Sequence, residues 1–178
     1  MFYGLHAAHA HSDERGGNVL DSGAPYYDTY PCADGKWLAV AAIEMPFRIA
    51  LFHLLELAES DAIAADDKAE WPRIKSLIAA RIVQRTRDEW CRHLDGTDAC
   101  TAPVLTMAEA PDHPHNRARG TFVEIGGIIQ PAPAPRFSRT IPDTPSPPGE
   151  EASKVADVMA AWGIGHEQIA MLDQARKD

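Results

Sequence analysis

The sequence predicts an α+β fold: a small domain of short β-hairpins and packed helices, then a proline-rich extended arm and a C-terminal pair of helices. Three observations predict it. Aromatic and β-branched runs stand on both sides of an Asp34-Gly35 turn. Apolar residues recur at helical spacing between Phe47 and Leu94. The composition then shifts abruptly toward proline after Gln130.

Taken in order, Met1 to Ala8 reads as the tail of a helix without a beginning, because no N-cap or polar lead-in precedes it. Residues 9–25, including His11 to Gly17, are polar and glycine-rich and read as a loop. Tyr26 to Tyr30 and Lys36 to Ile43 form the strands of a hairpin. The second of these is apolar on both faces, so it is expected to be central or covered on both sides. Pro46 suits a first helical position, and Phe47, Ala50, Leu51, Leu54, Leu55 and Ala58 continue an amphipathic helix to about Glu59. The acidic, alanine-rich interval from Ser60 to Glu70 is a connection or a short helix. A second helix starts near Trp71-Pro72 and turns Ile74, Leu77, Ile78 and Ile82 inward.

Thr86 and Glu89 form a capping box for a third helix, which runs through Trp90 and Leu94 and stops at Gly96. Ala102 to Leu105 is a short strand candidate, and Thr106 with Glu109 has the pattern of another capping box. Thr121 to Ile125 and Ile128 to Gln130 form a second hairpin around Gly126-Gly127. Seven of the 14 prolines lie between Pro131 and Pro148, where neither a ladder nor a helix can continue. Glu150 to Trp162 is helical, with Val155, Val158, Met159 and Trp162 on one side, and Gly165 to Leu172 forms the last helix.

A chain of 178 residues holds one ordinary domain with a real core. Seventeen basic against 26 acidic residues leave a formal charge of −9, which argues against nucleic-acid binding but not against a local site for a small anion. No apolar run approaches the roughly 18 residues needed to span a bilayer, and no secretory signal opens the chain. Cys32, Cys91 and Cys100 are odd in number and lack metal-type spacing. They read as reduced thiols of a cytoplasmic protein.

Several polar residues are candidates for chemistry. Glu44 follows an apolar strand and precedes the helix starting at Pro46, where the macrodipole favours a carboxylate. That placement alone explains it without a catalytic role. Tyr27 and Ile43, read in isolation, fill the hairpin core. His6, His9 and His11 do not share one helical face, and no metal site is expected from them. His113 and His115 flank Pro114 and fix a turn before Arg117 and Arg119, while Arg81, Arg85 and Arg87 read as a solvated helix end.

Asn18 to Tyr30, with its Asp-Ser-Gly-Ala-Pro-Tyr-Tyr-Asp run, then Ala33 to Lys36 and Ala41 to Glu44, resemble the α-methylacyl-CoA racemases of the family III CoA-transferase (CaiB/BaiF) superfamily. Thr86 to Trp90, Asp98 to Leu105, His113 to Gly120 and the proline-rich run before Phe137 continue the likeness in the same order. The resemblance implies that the chain is the C-terminal half of such an enzyme. Residues 1–20 would then end a large-domain helix and linker, and 21–130 form the small domain. Residues 131–149 would be the linker, and 150–178 helices that return to the large domain.

The resemblance implies an isomerase inverting the 2-methyl centre of acyl-CoA thioesters in fatty acid metabolism, by α-proton abstraction and reprotonation. The His and Asp doing this chemistry would lie outside this chain, leaving it inactive alone. Glu44 would be the supporting carboxylate to that His, and Tyr27 with Ile43 would line the acyl pocket. The alternatives are a fragment of an acyl-CoA:carboxylate CoA-transferase or a non-catalytic dimerisation module. Coenzyme A is expected only as part of the thioester, with no other cofactor and no metal. The expected partners are the acyl-CoA and a second copy or a separate N-terminal-half polypeptide, with neither nucleic acid nor membrane.

Overall fold

A computed structural model describes residues 2–147 and 155–175, in two units, 1–106 and 107–178. This division falls earlier than the boundary at 130 read from the sequence, and it places the second hairpin in the second unit.

In the first unit a short helix α1 (Phe2–Ala7) precedes a loop that is ordered by its own side chains. The Asp21 carboxylate accepts the Asn18 backbone N–H at 2.9 Å, the Asn18 amide Nδ2 at 2.8 Å and the Gly16 N–H at 3.1 Å. The Asn18 side-chain hydrogen bond is the main cause holding the Asp21 carboxyl below its ordinary range. Gly23 closes this loop because nothing larger fits: a Cβ there would lie 2.1 Å from the Asn18 carbonyl oxygen.

The first hairpin forms as expected. Strand β1 (Tyr27–Pro31) pairs antiparallel with β2 (Trp37–Ala41). Gly35 adopts φ +73°, and the Cys32 N–H meets the Lys36 carbonyl at 2.8 Å across the turn. A third strand, β3 (Thr101–Val104), pairs antiparallel on the other side of β2, giving the order β1-β2-β3. The edge position of β3 tolerates Pro103. The expectation that β2 is central holds, but it is covered on one face only within this unit. Leu38 and Val40 are buried, whereas Trp37 and Ala41 on the opposite face are exposed.

Helix α2 (Met45–Leu54) is shorter than the sequence suggests. Glu56 takes φ +56°, and a Schellman pair ends the helix, with Leu57 N–H to the Phe52 carbonyl (2.8 Å) and Glu56 N–H to that of His53 (3.0 Å). A glutamate supplies the left-handed residue, so no glycine announced the stop. The acidic interval resolves into α3 (Glu59–Ala64) and a 3₁₀ turn. Helix α4 (Trp71–Ile82) buries Trp71, Ile74, Ile78 and Ile82, and Leu77 is half-buried beside them. Helix α5 (Arg87–Leu94) starts at the predicted capping box, with Thr86 and Glu89 bonded reciprocally.

Helix α4 packs on β1, and α5 on β2 and β3, so the core lies under one face of the sheet. Arg87 corrects the reading of a solvated cluster. It is 5% exposed, because its Nη1 donates to the Val104 carbonyl at 2.9 Å and so serves a strand end.

Where the second unit begins, the Thr106–Glu109 pattern is followed by a 3₁₀ turn at Ala110–Asp112 rather than an α-helix. Helix α6 (Pro114–Ala118) follows. Strands β4 (Phe122–Ile125) and β5 (Ile128–Pro131) form the second hairpin, with Gly126 and Gly127 at φ +59° and +80° as a two-residue turn requires. Residues 132–147 contain neither helix nor strand, as the prolines predict. Helix α7 (Val155–Ala161) continues the expected C-terminal helix, whose start at Glu150 lies outside the described residues. Helix α8 (His166–Ala175) is the last element.

Candidate functional site

Antiparallel pairing brings three candidates to one end of the first sheet. Tyr27 starts β1 opposite Ala41, the last residue of β2. Ile43 and Glu44 follow after the buried Ala42 and form the corner into α2. Tyr27 is half-buried and lies on the open face of the sheet with Ala39, Ala41 and Trp37. Ile43 is 37% exposed, so it is not a core residue of this unit. Glu44 is exposed at the N-cap of α2 and makes no side-chain capping hydrogen bond.

The corner itself is tight. The Ile43 N–H bonds back to the Ala41 carbonyl at 3.0 Å, and the Ala41 N–H donates to the Cys100 carbonyl at 2.9 Å. This brings the start of β3 beside Glu44. Burial is the first cause raising the Cys100 thiol pKa, and the Glu44 and Asp98 carboxylates add to it. The Cys100 thiol is therefore kept protonated, the opposite of an activated nucleophile. Cys32, buried in the core, is pushed up to about 11, mainly by burial.

Behind the corner stands Arg48, 4% exposed. Its Nη2 donates to the Ile43 carbonyl at 2.8 Å, and its Nη1 donates to Asp66 Oδ1 at 2.6 Å and the Ala62 carbonyl at 3.3 Å. The guanidinium carbon lies 3.6 Å from the centre of the Tyr26 ring. Sequence reading passed over this residue. The available signal was its place on the apolar face of α2, in register with Leu51, Phe52 and Leu55. Asp28, on the covered face of β1, pairs with Lys75 of α4 at 2.7 Å, a structural tie between helix and strand.

Within the first unit, the other polar candidates do not join this corner. His6 and His11 border a groove with Phe2, Tyr3 and Asp13. Arg117 pairs with Asp112 at 2.5 Å within the second unit. Arg85 lies 4.7 Å from the centre of the Trp90 ring, and Arg81 donates to the Leu55 carbonyl at 2.8 Å. Among the described residues, no three His, Cys, Asp or Glu side chains gather to hold a metal ion, and no helix is long and apolar enough to cross a membrane.

The fold is that of a known class. The solved D175A mutant of Rv3272 from Mycobacterium tuberculosis superposes on 72% of this chain and 38% of its own length, with a TM-score of 0.55 at 15% identity. Residues 1–152 match the model of CoA-transferase family III, and the chain belongs to that family. It is 41% identical to the mouse α-methylacyl-CoA racemase over 165 residues, which cover 91% of this chain and 43% of the relative. The human α-methylacyl-CoA racemase is 38% identical over 164 residues, covering 89% of this chain and 42% of its own. A Caenorhabditis elegans CaiB/BaiF CoA-transferase family protein is 31% identical over 112 residues, 63% of this chain and 32% of the relative. The chain thus spans less than half the length of the curated relatives it matches.

Proposed function

We propose that this chain is the C-terminal part of an α-methylacyl-CoA racemase-like isomerase, which inverts the 2-methyl centre of acyl-CoA thioesters. The observation that carries the reading is the 41% identity to the mouse racemase across 91% of the chain. In this reaction a base removes the α-proton, the electron pair moves onto the thioester oxygen as an enolate, and an acid returns a proton to the opposite face. Coenzyme A enters as part of the substrate. The acid/base pair belongs to a polypeptide carrying the other part of the enzyme. The chain alone contributes a wall and a supporting charge.

Within that reading Glu44 is the supporting carboxylate. Its exposure at a sheet corner, with no capping bond to satisfy, leaves it able to accept a hydrogen bond from an imidazole brought from outside. Tyr27 and Ile43, at the same end of the sheet, offer an aromatic and an aliphatic wall to a branched acyl chain.

The test is complementation. The full 178-residue chain is mixed with the separately expressed N-terminal half of the mouse racemase. Exchange of the α-proton of a 2-methylacyl-CoA into deuterated water is then followed by NMR. The assembled pair is expected to exchange, and neither part alone. Glu44→Gln should lower exchange by about a hundredfold. A properly assembled complex without exchange removes the isomerase reading, and exchange by the 178-residue chain alone removes the supporting role.

A further inference from the structure

We propose that Arg48 is a positioning residue that sets the Ile43–Glu44 corner and, through it, the direction of the Glu44 carboxylate. The inference rests on the reading of Glu44 given above.

Besides the Ile43 N–H bond to the Ala41 carbonyl at 3.0 Å and the burial of Ala42, the corner is held by Arg48. Strand β2 ends at Ala41, and helix α2 starts at Met45, so the residues between them have neither ladder nor helix to fix them. Arg48 grips the backbone on both sides of Glu44. Its own N–H accepts the ordinary helical role, donating to the Glu44 carbonyl at 2.9 Å, while its guanidinium donates to the Ile43 carbonyl at 2.8 Å. The other arm of the fork is anchored on α3 and the residues after it, through Ala62 and Asp66. Tyr26 closes over the guanidinium face. One side chain therefore ties the start of the first hairpin, the corner and α3 together.

Stability alone is a weak reason to keep a cation there. Burying a guanidinium is costly, and its carboxylate partner Asp66 is 63% exposed, so the pair gains little from a low-dielectric interior. The Nε of Arg48 is also buried without a partner, so the arrangement is not optimised as a hydrogen-bond network. What the planar fork supplies, and a methionine or lysine does not, is two fixed directions at once: one toward the Ile43 carbonyl, the other toward the Asp66 anchor.

The experiment is a double-mutant cycle in the complemented assembly, with Arg48→Met and Arg48→Lys each made alone and with Glu44→Gln. Arg48→Met is expected to lower kcat for exchange about tenfold with KM within about twofold, and Arg48→Lys to recover part of the loss. In the Glu44→Gln background Arg48→Met should cost less than about twofold, because the residue it acts through is already gone. Equal losses in both backgrounds, or a loss in KM alone, would overturn the proposal.

If Arg48→Met fails to fold, Asp66→Ala removes the anchor from an exposed position (its side chain is 63% exposed) and should give a smaller loss with the same non-additivity. A wild-type assembly without exchange defeats the isomerase reading instead. The corner is then judged by amide hydrogen exchange of the full chain. Faster exchange of the Ile43 amide by about tenfold in Arg48→Met or Asp66→Ala, with Leu38 and Val40 unchanged, supports the strut. Unchanged exchange at the corner overturns it.

Discussion

The two units of this chain treat their apolar residues in opposite ways. The first buries Leu38, Leu51, Phe52, Ile74, Ile78 and Ile82 to 1% exposure or less. In the second, Ile169 is the one buried hydrophobic residue among those described, while Trp162, Ile141 and Met171 stand 84%, 81% and 73% exposed. The first unit meets its own need for a core. The second carries helices on which, Ile169 apart, Val158, Met171 and Leu172 stay exposed, as does Trp162 just after α7, and helices of seven and ten residues are too short to be stable without packing. The family match ends at residue 152, ahead of α7 and α8, so it takes in the first unit and only the part of the second that precedes these helices.

The largest effect that tests this contrast is a core truncation. Phe52→Ala should destabilise the first unit by about 3–5 kcal/mol in urea unfolding followed by circular dichroism. A cost below about 1 kcal/mol would mean that the core is not the cooperative centre of the fold. Thr86→Ala removes a helix cap and should cost about 1 kcal/mol in the same measurement.

Acid sharpens the same contrast. The Glu89 carboxyl is held below its ordinary 4.5, chiefly by the Thr86 side-chain hydrogen bond. A carboxyl whose pKa is lower folded than unfolded adds stability above 4.5, and this is lost as pH falls through the folded value. The urea midpoint should therefore fall more steeply below pH 4.5 in the wild type than in Glu89→Gln. Equal slopes would remove that contribution. At the small end, Trp162→Ala should change the unfolding free energy by less than about 0.5 kcal/mol, because a side chain 84% exposed gives up little burial. A loss comparable to that of Phe52→Ala would erase the distinction between the units.

Much of the first unit was legible from local chemistry. The Asp34-Gly35 turn, the Thr86–Glu89 capping box and the inward stripe of α4 follow from turn geometry, reciprocal capping and helical period, which depend on neighbours in the chain. The helix stop at Glu56 was not legible, because a glutamate in the left-handed conformation carries no signal of its own. The burial of Arg87 and Arg48 was missed for a related reason: the carbonyls that accept their protons, on Val104 and Ile43, become available only when strands end where they do.

For the candidate site the division is similar. Tyr27, Ile43 and Glu44 were singled out by resemblance to a family. Their meeting at one sheet end follows from the hairpin register, which the turn determines. Sequence alone determined the α+β class, most elements and the ordered motifs, because periodicity, caps and turns act over a few residues. Only the tertiary structure decided that β3 completes the sheet and that one face of it stays open. It also placed a buried arginine behind the Glu44 corner. Those outcomes depend on contacts between residues far apart in the chain, where no local preference can choose the partner.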